Sequence, residues 1–181
     1  MKNKWAKWGS MILAICFGVV FFVLDIVTKY VATAHLAEGE SASFLPGFMN
    51  FVVVFNNGAA WNSFAGEQIL LIILTIAIIS LFLAYYIVRY IRSKLPMSKL
   101  FGIAVGLIAG GCFGNLYDRI GFGYVRDFLN FQFMNFPVFN IADMALTFGI
   151  IVLVIYFIFI YPKEEKKLKE LNGETPKKED K

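Results

Sequence analysis

Four apolar stretches, at about residues 11–31, 69–90, 100–117 and 141–161, restrict the fold of this chain more than any other feature. Each is close to the ~20 residues a helix needs to cross a bilayer core. The first is interrupted by Asp25, Thr28 and Lys29, and the second carries no charge before Arg89. A signal peptide is the competing reading of the first, with Ala32-Thr33-Ala34 as a cleavage site, but a signal core is roughly 7–15 residues and free of Asp and Lys. Four membrane spans are therefore expected. The balance of composition agrees, since 59% hydrophobic residues and a mean hydropathy of +0.67 are too apolar for a soluble domain of 181 residues.

An even number of spans puts both termini on one side. Lys2, Lys4, Lys7, Arg89, Arg92, Lys94, Lys99 and the tail lysines share that side, whereas residues 32–68 hold no Lys or Arg. The positive-inside rule then makes both termini cytoplasmic and turns segments 32–68 and 117–140 outward. In the first of these, Phe48–Phe55 is β-branched and aromatic and ends at Asn56-Asn57-Gly58, a turn signal. The second carries Phe128, Phe131, Phe133 and Phe136 before Pro137. A small extracytoplasmic β-rich element at the outer interface is expected on an otherwise all-α membrane fold. Gly102, Gly106, Gly110 and Gly114 recur every four residues, a face for close helix packing. Residues 1–162 read as one membrane-embedded domain and 163–181 as a charged tail without fixed structure.

Several function classes are poor fits. The net charge of +4 does not indicate a nucleic-acid partner, because seven of the 17 basic residues follow Pro162 and are interleaved there with six acids. Cys16 and Cys112 lie in separate apolar runs, and one histidine with no HExxH leaves few ligands for zinc. No metal site and no cofactor are expected.

The polar residues carry the functional signal. On this topology Asp25, Lys29, Asn115, Asp118, Arg119, Asp127 and Asp143 all gather near the outer face. Intramembrane carboxylates cost about 2.5–3.5 kcal/mol on insertion scales, and tend to be paired or functional. Asp25 and Lys29 stand at i, i+4 with the acid first, suited to an ion pair. Asn115, Asp118 and Arg119 share a helix face, and Asp118 beside Arg119 suits a structural bridge. Asp127 and Asp143 lack such neighbours. If their carboxyls meet they would share a proton and form an acid and a base for amide hydrolysis. Spacing alone leaves a second reading open, with Asp143 as a cap of the fourth helix.

These residues, taken in blocks, resemble a family. Leu24-Asp25 with Thr28-Lys29, Asn56-Asn57-Gly58-Ala59-Ala60-Trp61, Gly110-Gly111 with Gly114-Asn115 and Asp118-Arg119, Gly123-Tyr124-Val125 with Asp127-Phe128, and Phe139-Asn140-Ile141-Ala142-Asp143 are similar to the bacterial lipoprotein signal peptidases, or type II signal peptidases. The resemblance implies a membrane aspartyl endopeptidase that cleaves diacylglyceryl-modified prolipoproteins just before the lipidated cysteine. It puts the catalytic pair at Asp127 and Asp143, and supporting roles at Asp25, Lys29, Asn56, Gly58, Asn115, Arg119, Asn140 and Ala142. Implied partners are prolipoprotein substrates and membrane lipids, and a monomer is expected. Arg126, Trp61-Asn62 and Met144 depart from the pattern, and Arg126 would depress the pKa of Asp127 if it folded back.

The main rival is a polytopic transporter or proton-coupled carrier, which buried Asp, Lys and Arg also suit. Against it, the inner halves of the spans are bland and no internal repeat is visible. A GxGD protease would need Asp where Tyr124 stands. A Ser/Lys peptidase would use Lys29 with Ser41 or Ser43. The lone His35 reads as an interfacial loop residue.

Overall fold

The structure is a computed structural model that describes residues 2–58, 63–92 and 95–173. Ala59, Ala60, Trp61 and Asn62, which belong to one of the motif blocks and one of its departures, lie outside the described residues. Among the described residues, four helices are long and apolar enough to cross a membrane, at Trp8–His35, Gln68–Arg89, Lys99–Phe122 and Ile141–Asn172. Helix α1 (Lys2–His35) is followed by β1 (Ser41–Leu45), β2 (Met49–Asn56) and α2 (Gln68–Arg92). Then come α3 (Lys99–Phe122), β3 (Val125–Phe131), α4 (Ile141–Ile155), a π-helical stretch at Tyr156–Ile160 and α5 (Tyr161–Asn172).

Helices α1, α3 and α4 form the tight part of the bundle, and glycine is the reason. A Cβ at Gly106 would run into the Ala14 carbonyl, and one at Gly110 into the Gly18 carbonyl, so α1 and α3 touch backbone to backbone. Gly111 and Gly149 do the same for α3 against α4. The glycine series thus has the packing role expected of it. Small residues admit this approach where lipid supplies no hydrophobic drive between helices. Helix α2 joins by its C-terminal half, where Tyr85 and Tyr86 pack on Phe101. Large apolar side chains such as Ile15, Val19, Ile73, Leu81 and Phe148 remain exposed on the outside of the bundle, as lipid-facing side chains do.

The three strands form one antiparallel sheet in the order β1-β2-β3. Strand β2 matches the extended stretch read from the sequence at Phe48–Phe55, displaced by one residue. The first strand was not anticipated. It is short and largely exposed, and returns into β2 through Gly47, whose φ of +76° suits glycine. In β2 against β3, Val54 faces Asp127 and Phe55 faces Arg126, with an irregularity between Phe51 and Val54 that shifts the register.

The chain departs from expectation at its charged end. The structure is helical as far as Asn172, whereas the sequence suggests no fixed structure from residue 163. Glu165 and Lys169 pair at 2.8 Å one turn apart, and Glu164 ties back to Arg89 at 3.2 Å and accepts from the Tyr156 hydroxyl at 3.0 Å. Those contacts let a polar helix continue beyond the apolar span.

Candidate functional site

The polar residues singled out in the sequence converge at the end of the bundle that carries the sheet. Gly123, at φ +80°, ends α3 and turns the chain into β3, which brings Asp127 over the start of α4. There Asn140 and Asp143 form a reciprocal cap. The Asn140 side chain accepts from the Asp143 N–H at 2.9 Å, and the Asp143 carboxylate accepts from the Asn140 N–H at 3.2 Å. Asp143 thus belongs to the cap of α4, and its other oxygen accepts from the Asn115 amide at 2.8 Å.

Asp127 is held from two sides. Asn140 Nδ2 donates to its Oδ1 at 2.6 Å and Asn56 Nδ2 to its Oδ2 at 2.9 Å. Asn140 thus touches both carboxylates. Burial, reinforced by the negative charge of Asp143, pushes Asp127 up to about 7, while the two amides pull the other way. Arg126 does not fold back toward Asp127 to lower it. It points to the opposite face of β3 and pairs with Asp118 at 2.7 Å.

Behind the pair lies a buried ionic layer. Lys29 Nζ is 2.7 Å from Asp25, 3.3 Å from Asp118 and donates to Asn115 at 2.9 Å, with Asp25, Lys29 and Asp118 fully buried. Asp25 in turn accepts the backbone N–H of Ala142 at 2.8 Å and so fixes the first turn of α4. The expected Asp118–Arg119 bridge is not made. Arg119 instead donates to the Gly58 carbonyl at 3.1 Å, and Gly58 N–H donates to Asn56 Oδ1 at 2.9 Å. Arg119 thereby braces the turn that carries Asn56. The Ser/Lys arrangement is excluded by geometry, since Lys29 is spent in this layer while Ser41 and Ser43 sit on the outermost strand.

Asp127, Asp143, Asn115 and Arg119 line an open cleft of about 1390 Å³ between α2, α4 and the sheet. Asn56, Arg119 and Asp127 line it beside the sheet together with apolar residues such as Phe55 and Val125, and Ile78, Phe82, Leu146 and Ile150 give it an apolar stretch between α2 and α4. Sequence reading missed Gln68, whose amide donates to the Asn57 carbonyl at 2.6 Å on the cleft wall. No motif marks it, because the contact depends on where α2 begins.

Two solved structures titled as bacterial membrane enzymes share this architecture. One has a TM-score of 0.72 at 32% identity over 80% of this chain and 87% of its own, and the other 0.70 at 32% over 81% and 93%. The fold is thus that of a polytopic membrane enzyme. Residues 17–159 match the family model described as signal peptidase (SPase) II. Proteins named lipoprotein signal peptidase from Staphylococcus aureus (37% identity, 89% of this chain and 96% of theirs) and Lactobacillus johnsonii (35%, 81% and 92%) are similar along most of their length. The chain belongs to the signal peptidase II family, and is a membrane protease of that kind. The carrier reading is not favoured.

Proposed function

We propose that this protein cleaves diacylglyceryl-modified prolipoproteins immediately before the lipidated cysteine, with Asp127 and Asp143 as the catalytic pair. The observation that carries the reading is the linkage of both carboxylates through Asn140 at the wall of a largely apolar cleft. Burial lifts Asp127 to about 7, so on the acid side of neutrality we assign it the proton that the pair shares. Asp143 is then the base that takes a proton from water. The water oxygen attacks the scissile carbonyl as Asp127 donates to the carbonyl oxygen; the C–N bond of the resulting tetrahedral intermediate then breaks, its hydroxyl returning a proton to Asp127 while the proton on Asp143 passes to the departing amine. Water and two carboxyls suffice for this sequence, and no covalent bond to the enzyme forms.

The substrate arrives within lipid. The apolar stretch of the cleft suits acyl chains and the signal helix, and the polar side chains beside the sheet suit water. In this reading both termini are cytoplasmic, the site works near the extracytoplasmic face, and a monomer carries a complete site. Residues 1–162 form the catalytic unit and 163–181 a cytoplasmic tail. Support for the orientation comes from the basic residues around Arg89–Lys99 and in α5, set against their absence from 32–68.

The deciding experiment is cleavage of a diacylglyceryl-modified prolipoprotein by purified protein in detergent or bilayer, with wild type, Asp127→Asn and Asp143→Asn compared with and without EDTA. Cleavage before the lipidated cysteine by wild type, two inactive folded variants and indifference to EDTA are expected. Near-full activity of either variant would remove the pair from the mechanism.

A further inference from the structure

We propose that Arg126 is a positioning residue for the reaction. By holding Asp118 it leaves the charge of Lys29 to act on the Asp127–Asp143 pair, and so sets the pH range over which that pair holds one proton. The inference rests on the catalytic reading of that pair given above.

The geometry is that of a clamp. Asp118 accepts from Arg126 Nη2 at 2.7 Å, from Nε at 3.2 Å to each oxygen, and from the Arg126 backbone N–H at 2.9 Å. The guanidinium stacks 4.5 Å over the Phe122 ring, which shields it from solvent, and only 8% of Arg126 is exposed. A two-pronged arginine is well suited to neutralise a desolvated carboxylate. Lys29 reflects this. Its ammonium lies close to Asp25 and Asn115 but 3.3 Å from Asp118, which is already satisfied. Asn115 then relays the contact to Asp143.

Among the described residues, the charges around Asp127 and Asp143 are Asp25 and Lys29 from α1, Asp118 and Arg119 from α3 and Arg126 on β3, while α2 lines the cleft without a charge. Cys112 on α3 also lines the cleft, and β2 offers Asn56 but no charge. Three cations thus face four carboxylates, and this set is neutral when Asp127 and Asp143 share a single proton. Without Arg126, Asp118 would draw on Lys29, and the cluster would gain a proton to stay neutral.

The test is the pH–rate profile of prolipoprotein cleavage by the full-length protein. Arg126→Leu is expected to move both limbs up by roughly half a pH unit or more. Arg126→Lys should hold the limbs where wild type has them, and Asp118→Asn should move them down. The double variant Asp118→Asn/Arg126→Leu should return them to the wild-type position, a restoration that lost packing would not produce. Unmoved limbs in Arg126→Leu, with only a uniform fall in rate, would overturn the proposal. If that variant does not fold, the downward move of Asp118→Asn supports the proposal and its absence overturns it. Activity in Asp127→Asn, run alongside, would show instead that the catalytic reading had failed.

Discussion

Asn140 donates from its side-chain amide to Asp127 at 2.6 Å while its own oxygen caps the Asp143 N–H at 2.9 Å. One residue therefore starts α4 and aims the carboxyl of β3. Replacing it separates the two tasks. Asn140→Ala should lose both, with a stability cost of about 1 kcal/mol for the cap and turnover lowered roughly tenfold or more by the misplaced acid. Asn140→Ser should retain most of the cap and still lose the contact to Asp127. Thermal melting in detergent, paired with turnover rates, distinguishes them.

The pH dependence follows from Asp127. Its ordinary value is 3.8 and burial lifts it to about 7, so folding favours its protonated form. That contribution is complete below about pH 4 and is lost as pH rises through 7, a change of a few kcal/mol on the order of 1.4 per pH unit. The Asp127→Asn variant lacks this loss. Its melting temperature should gain on that of wild type between about pH 5 and pH 8, and wild-type cleavage should fall on the alkaline side as the shared proton leaves.

Two glycines near the C-terminal end of α3 make a matched pair. A Cβ at Gly114 would meet the Asp25 carboxylate and the Ala142 side chain, whereas one at Gly121 meets nothing within 4 Å. Gly114→Ala should destabilise by about 1–3 kcal/mol and lower activity. Gly121→Ala should be neutral or stabilising by about 0.5–1 kcal/mol. Melting temperatures of the two variants settle the comparison.

Lys29 holds two buried carboxylates at once. Lys29→Met leaves Asp25 without its cation, while Asp118 keeps Arg126, and should cost about 3–5 kcal/mol. Adding Asp25→Asn should recover part of that loss, a coupling measurable in a double-mutant cycle of unfolding free energies.

Much of this architecture could be read from the chain because hydrocarbon imposes simple rules. Apolar length marked the four spans, and the same rule brought Asp25, Asp118, Asp127 and Asp143 to one depth. What escaped depends on geometry that emerges only after folding. The pairing of Arg126 with Asp118 requires the tight reversal at Gly123, and it inverts the partner that adjacency suggested for Asp118. Arg119 reaches the Gly58 carbonyl because that turn folds over α3, a contact across 61 residues with no motif behind it. Helix α5 escaped for a different reason. Its sequence is mostly charged, with Leu168 and Leu171 set among lysines and glutamates, and side-chain pairs to Arg89 and within the helix accompany its order.

The bond from Ala142 to Asp25 has an experimental consequence. It is made by a main-chain N–H, so side-chain truncation at 142 has nothing to remove, and a scan of this region would pass over one of the contacts that seats α4. Replacement of that peptide linkage by an ester, which deletes the proton and leaves both Ala142 and the Asp25–Lys29 pair in place, would isolate how strongly the first helix grips the fourth.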